Sequence, residues 1–428
     1  SMVFSLVSTP VSAAETGQLT NPPTSTEELS SPESISGNEA ASALNGLSVL
    51  AANGEAEVTT ASELTGALAD SSISRITLKG DIDIGSTLTV NRTVTLDLNG
   101  CVLKMTGSDS VIKVEADGDL TIQDRNTTTQ HKFNPHCKYL TWYIDMWELD
   151  NGGSEIVSGG VITGGGGDQS NGGGVLVAGG TLVMAGGSIV GCSAMSRGGG
   201  VCNNGTFIMS DGMIKGCTSP DGQYASGGGV RNSNQFTMTG GMIGDPDNEN
   251  DASHVYNTSS QETTLTISGN AKIYTDITNV GILNADGGEI AGTMTNDTNR
   301  YGTGTITGSE GAAGSTKFQD KVTNNGTIRK GTFTNEVINE SSGTINGGTF
   351  TGAITNNDGT VLDGDFSGAI LNGMLVITFD PDNRDQSITK KVNWSKDGAA
   401  LTAPDPVPTK EGHSIEGWYY DNNGTETK

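Results

Sequence analysis

Alternating apolar and polar residues recur along this chain in short segments separated by glycine corners, and three of these segments align. Thr181-Leu182-Val183-Met184, Thr206-Phe207-Ile208-Met209 and Gln235-Phe236-Thr237-Met238 are each followed by a glycine corner and an isoleucine: Ile189, Ile214 and Ile243. Matching residues lie 25 and then 29 positions apart, and Gly159-Gly160-Val161-Ile162 places an earlier isoleucine 27 before Ile189. A Gly-Gly-Gly-Val segment precedes each copy, ending at Val175, Val201 and Val230. Period-two alternation in short runs predicts strands. Its recurrence about every 25 residues predicts a β-solenoid, in which each coil buries a thin apolar layer against its neighbours.

The same pattern extends in both directions. Ile76-Thr77-Leu78, Leu88-Thr89-Val90, Val94 to Leu98, Val102 to Met105, Val111 to Val114 and Leu120-Thr121-Ile122 read as earlier strands. Before them, Thr60-Ala61-Ser62-Glu63 forms a capping box, with Leu64, Ala67 and Leu68 at helical spacing. A short helix there would cover the open end of the first coil, whose strand edges otherwise face water. From Lys317 the period shortens: Gly331-Thr332-Phe333, Gly348-Thr349-Phe350 and Gly364-Asp365-Phe366 recur 17 and then 16 residues apart. Near Met374 the pattern changes to a strand, Leu375 to Phe379, followed by Pro404, Pro406 and Pro408 and the cluster Gly417-Trp418-Tyr419-Tyr420.

These changes divide the chain. Residues 1–14 read as the tail of a secretory signal peptide, with small residues at Ala13 and Ala14 for cleavage. Residues 15–56 are Ser-, Thr-, Glu- and Pro-rich without a periodic apolar face and read as a disordered leader. Residues 57–372 form an all-β parallel β-helix with its N-terminal capping helix, and short-period coils occupy 317–372. Residues 373–428 form a small, separate β-rich domain.

Composition narrows the choices. Gly accounts for 63 of 428 residues and aromatics for only 5%, which suits thin stacked coils better than a thick globular core. The formal charge of -26 sets the chain against nucleic-acid phosphates and fits a soluble extracellular surface. No apolar stretch reaches membrane-spanning length. Cys192 and Cys217 hold the same place in consecutive coils, where in-register spacing of roughly 4.8 Å favours two stacked thiols over a disulfide.

The repeat breaks between Arg125 and Asp150, the predicted insertion 125–150, and this stretch concentrates aromatics in a chain that otherwise has few. Trp142, Tyr143 and Trp147 offer ring faces for sugars, and Asp145 and Glu148 offer acceptors for hydroxyls. The bland reading of these rings is that they pack the loop onto the rod. His131, His136 and Cys137 lack a clear fourth zinc ligand. Asp245, Asp247 and Asp251 lie in an acidic loop whose oxygens could hold Ca2+, without the ordered spacing of an EF-hand. Asp97 reads as an outward, solvated corner carboxylate.

Taken together, Glu63-Leu64, Ile76 to Ile82, Thr95 to Gly100 and the Gly-Gly-Gly-Val steps resemble the pectate-lyase-like β-helix proteins of bacterial surfaces, adhesin-like members included. The resemblance covers roughly 57–372 and implies the fold; the superfamily holds lyases, glycosidases and non-catalytic adhesins. Thr378-Phe379-Asp380, Pro408 to Gly412 and Glu416 to Tyr419 resemble the Listeria–Bacteroides repeat, the internalin B type, which implies a β-grasp-like fold used in spacing and adhesion. The chain departs from that repeat at Pro381 to Arg384 and at His413-Ser414-Ile415, and stops before its last strand, so the repeat reads as truncated.

Two function classes compete. A calcium-dependent polysaccharide lyase needs a basic proton acceptor beside acidic ligands, and a glycoside hydrolase needs two facing carboxylates. In the best-aligned coils the charged candidates are Arg197, Asp211, Lys215 and Arg231, which do not recur as a stacked acid-and-base group. The balance falls against an enzyme. The favoured expectation is a secreted or cell-surface bacterial adhesin or scaffold that is non-catalytic and binds host or matrix glycans or surface proteins. Any carbohydrate binding would be carried by the aromatic insertion.

Overall fold

The strands of this chain stack, parallel and in register, into a series of coils from which the aromatic insertion departs. The computed structural model describes residues 54–138, 145–166, 171–219, 227–248, 251–259, 263–309 and 311–366, together with the strands Ile370–Phe379, Ile388–Asn393, Tyr420–Asn422 and Thr425–Thr427. Side chains from 136 to 146 and beyond 366 lie outside the described set. The sequence repeats are the structural repeats: Leu182 faces Phe207 and Phe236, Met184 faces Met209 and Met238, and Ile189 faces Ile214 and Ile243. Val175, Val201 and Val230 pair in a second sheet. The fold is an all-β parallel β-helix.

Each coil contributes short strands to two long parallel sheets, with inward positions buried and outward positions partly exposed. The triple glycines explain how the coils turn so tightly. Their amides continue the ladder, Gly174 donating to Gly199 and Val175 to Gly200. A Cβ on Gly173 would stand 2.0 Å from the Ser193 carbonyl oxygen, so no larger residue fits.

One column of the core is polar. Asn203, Asn232, Asn257, Asn279, Asn296, Asn324, Asn339 and Asn356 occupy the last position of successive strands and are at most 1% exposed. Each Nδ2 donates to the Oδ1 of the next asparagine at 2.7–2.8 Å along the whole column. Earlier coils carry Val90, Val114 and Val177 at this register instead. A second column stacks rings: Phe318, Phe333, Phe350 and Phe366 lie face to face at 4.6–5.1 Å, one per short coil.

At the N-terminal end a helix spans Ala61–Ala69, and the reciprocal Thr60–Glu63 capping box is formed. Leu64, Ala67 and Leu68 enter the main apolar core. Arg92 secures the other end of the helix, donating to the carbonyls of Ala67 and Leu68 at 2.8 and 3.0 Å and to Ile73 at 2.5 Å. Charge-assisted bonds of this kind satisfy carbonyls that the last helical turn leaves free.

The insertion forms a three-stranded antiparallel arm, with Gln130–Lys138 between Asp145–Leu149 and Glu155–Ser158. It therefore runs to Ser158, beyond the aromatic run that marks it in sequence. The coil resumes as if uninterrupted, Val161 pairing directly with Val102. At the far end of the rod, Ile370–Gly373 pairs in parallel with Ala353–Asn356 as a last coil strand. The same strand then pairs antiparallel with Ile388–Asn393 from Met374 to Phe379.

Candidate binding cleft under the arm

Two carboxylates, the half-buried Asp124 and the buried Asp97, hold the base of the arm. Asp124 accepts from the amides of Gly100 and Gly160 at 2.7 and 2.8 Å, joining the coil before the arm to the coil after it. Asp97 is fully buried and accepts from the Asn99 and Arg125 amides, from Gln123 Nε2 and from the Arg125 guanidinium. Burial works to raise its pKa, but the hydrogen bonds from Arg125 and Gln123 outweigh it and hold the carboxyl below its ordinary range. Asp97 is thus a buried corner clamp, not the solvated residue that its strand pattern suggests. Its neighbours Leu96 and Leu98 enter the core, and Asp97 is covered instead by Asn99, Gln123 and Arg125.

The arm lies back against the rod. Phe133, Trp147, Val157, Val161 and Val190 form a separate apolar cluster, with the Phe133 and Trp147 ring centres 6.4 Å apart. The Trp147 amide donates to Gly216 O at 3.3 Å. Gly191 and Gly216, both at positive φ, make the bed: a Cβ on Gly216 would sit 2.1 Å from Trp147 Cγ. The His131 ring nitrogen contacts Gly100 O at 3.0 Å, which ties the first arm strand to the same corner.

Between arm and rod opens a cleft of about 400 Å³, lined by Lys104, Thr106, Thr163, Ser193 and a run of glycines on the rod side and by Trp147, Glu148 and Leu149 on the arm side. The rod side is built by register, since Lys104 pairs with the buried Thr163 on the adjacent coil. The cleft is therefore lined by one amine, one carboxylate, hydroxyls and glycine backbone. That donor set recognises hydroxyl-rich or peptide-like ligands by hydrogen bonding.

The structure distributes the sequence candidates unevenly. Trp147 and Glu148 reach the cleft; the Trp147 ring is only 2% exposed and mostly serves to seat the arm. Trp142 and Tyr143 lie outside the described residues, and of Asp145 only the strand backbone is described. In the acidic loop, Asp245 is buried against Lys215 at 3.2 Å. Asp251 accepts from the amides of Gly216 and Ser253. Asp247 donates its amide to Asp245 Oδ1 at 3.1 Å. Among the described residues no group of three His, Cys, Asp or Glu side chains could hold a metal ion.

Lys215, which reads as an outward charge in sequence, is only 8% exposed, with its Nζ 4.4 Å from the Trp147 ring centre. Cys192 and Cys217 are buried free thiols, and burial beside Cys192 pushes the Cys217 thiol well up. Sequence reasoning missed Lys104, because the arm that makes a cleft of its surroundings is 26 residues further on, starting at Gln130.

Residues 55–157, the first coils and most of the arm, match the family described as a putative pectate lyase-like adhesive domain. The rod as a whole is a parallel β-helix, and the likeness to that family covers its first coils and the arm. No curated protein and no solved structure gives a significant match to the chain. The described helix of this β-helix chain is not long and apolar enough to cross a membrane.

Proposed function

We propose that the chain is a secreted or cell-surface adhesive rod that binds a glycan or a surface protein of a host or matrix through the cleft under the arm, without turning it over. The observation that carries this reading is the seated arm: it stands on a rigid stack and opens a cleft lined in part by the stretch that resembles an adhesive domain. Parallel stacking gives the rod its stiffness, because each coil's amides pair with the next. Lys104 and Glu148 would orient the ligand, and Trp142 and Tyr143 would extend the contact as ring platforms. The segment 373–428, with its likeness to the Listeria–Bacteroides repeat, would act as a spacer.

The bare donor set favours binding over hydrolysis. A glycosidase needs a second carboxylate facing the first, and Glu148 is the one carboxylate among the described residues lining this cleft. A panel of immobilised glycans and matrix proteins, probed with the full chain and with Lys104→Ala, tests the reading. Binding should weaken about tenfold in the variant, on the order of 1.4 kcal/mol, at unchanged thermal stability. Equal binding by both forms would move the site elsewhere.

A further inference from the structure

We propose that Lys215 and Asp245 become joined by an intramolecular amide bond, Nζ to Cγ, formed by the folded chain itself with Asp251 relaying the proton. The register sets the two groups together. Lys215 ends the strand Thr206–Lys215, and Asp245 follows Met242–Ile243 on the next coil. Ile214 and Ile243 pair directly, and Gly244 donates to Ile214 O at 2.9 Å. The side chains one and two residues further along meet at an Nζ–Oδ2 distance of 3.2 Å, with Lys215 and Asp245 exposed by only 8% and 5%.

Three features distinguish this pair from the surface ion pairs of the same chain, such as Lys79–Glu57, whose partners are more than two-fifths exposed. First, the Trp147 ring lies over the amine at 4.4 Å and shields it from water. Second, a further carboxyl, Asp251, is fixed on the backbone of the residue after Lys215 by hydrogen bonds from the Gly216 amide at 3.1 and 3.2 Å. Third, burial pushes the Asp251 carboxyl up, with the Asp245 charge adding to it, so Asp251 holds a proton more readily than an ordinary aspartate.

The reaction balances within the chain. The ammonium and carboxylate of the pair together contain the elements of an amide plus one water. As the uncharged amine attacks Asp245 Cγ, the N–C bond forms and one C–O bond breaks. Two protons from nitrogen leave on the departing oxygen as water, one of them by way of Asp251. No oxidant, reductant or outside group is required. A dry site favours the products, because it desolvates both charges and excludes the water that would hydrolyse the amide. The product would weld adjacent coils together beneath the arm and fix Trp147 in its seat.

Mass spectrometry of the full chain after trypsin digestion tests this. Cleavage should fail after Lys215, and Gly198–Arg231 should appear linked to Asn232–Lys272 with the loss of one water. Lys215→Met should abolish the linked species. Asp251→Asn keeps both reacting groups and an oxygen to accept the Gly216 and Ser253 amides, so it controls for misfolding; it should return the two peptides unlinked. Normal cleavage after Lys215 in the unmodified chain overturns the bond. Persistence of the link in Asp251→Asn overturns the relay.

Discussion

Asn203 donates through its Nδ2 to Asn232 Oδ1 at 2.8 Å, although the two residues are 29 apart in sequence and both are fully buried. Asn203 and Asn232 spend their second proton on a backbone carbonyl of the next coil, Gln235 O and Thr264 O. The column thus satisfies the polar atoms that its burial would otherwise orphan, and it ties each turn to its neighbour.

Substituting one member should therefore cost more than its own bond. Asn279→Ala leaves Asn257 without its acceptor and Asn296 without its donor, both in a dry core. A loss of about 2 kcal/mol is expected, measured by chemical denaturation against Thr278→Ala, an outward neighbour that should change little. Equal effects for the two variants would deny the column any special role.

Gly216→Ala probes the seat of the arm. The new methyl meets the Trp147 ring, and the residue's φ of +60° adds strain, together costing about 2 kcal/mol or more. Trp147 should become accessible to acrylamide and its emission should shift to the red. Unchanged quenching would mean that the arm is held by something other than this contact.

Asp97 gives the rod an acid-sensitive corner. Its folded pKa lies below its unfolded value, so its contribution to stability is present at neutral pH and is lost as the pH falls through the folded value. Asp97→Asn should lower the melting temperature at pH 7, and the gap to the unmodified chain should close well below about pH 4. A constant gap across that range would contradict the clamp.

Much of this fold was legible in the sequence because coil register is written as period. The alignment of Ile189, Ile214 and Ile243, the Thr60–Glu63 box and the one-phenylalanine coils all correspond to observed pairings. The asparagine column was legible too, as an apolar-x-Asn step from Val201 to Asn356, but its spacing wanders from 15 to 29 residues and hides among polar corners. The site was harder. Lys104 and Glu148 line one cleft only because a long insertion folds back, and Lys215 and Asp97 look like outward charges although both are buried. Sequence alternation reports which face of a strand a residue occupies, not what later returns to cover that face.

Incubation of the full chain with a broad panel of polysaccharides and matrix proteins, with and without calcium, addresses the central claim most directly. Bound partners and released oligosaccharides would be measured together. The account predicts reversible binding that Lys104→Ala and Trp142→Ala weaken, with no oligosaccharide released under either condition. Release of oligosaccharides that depends on the intact chain would contradict it and make the cleft under the arm a catalytic site.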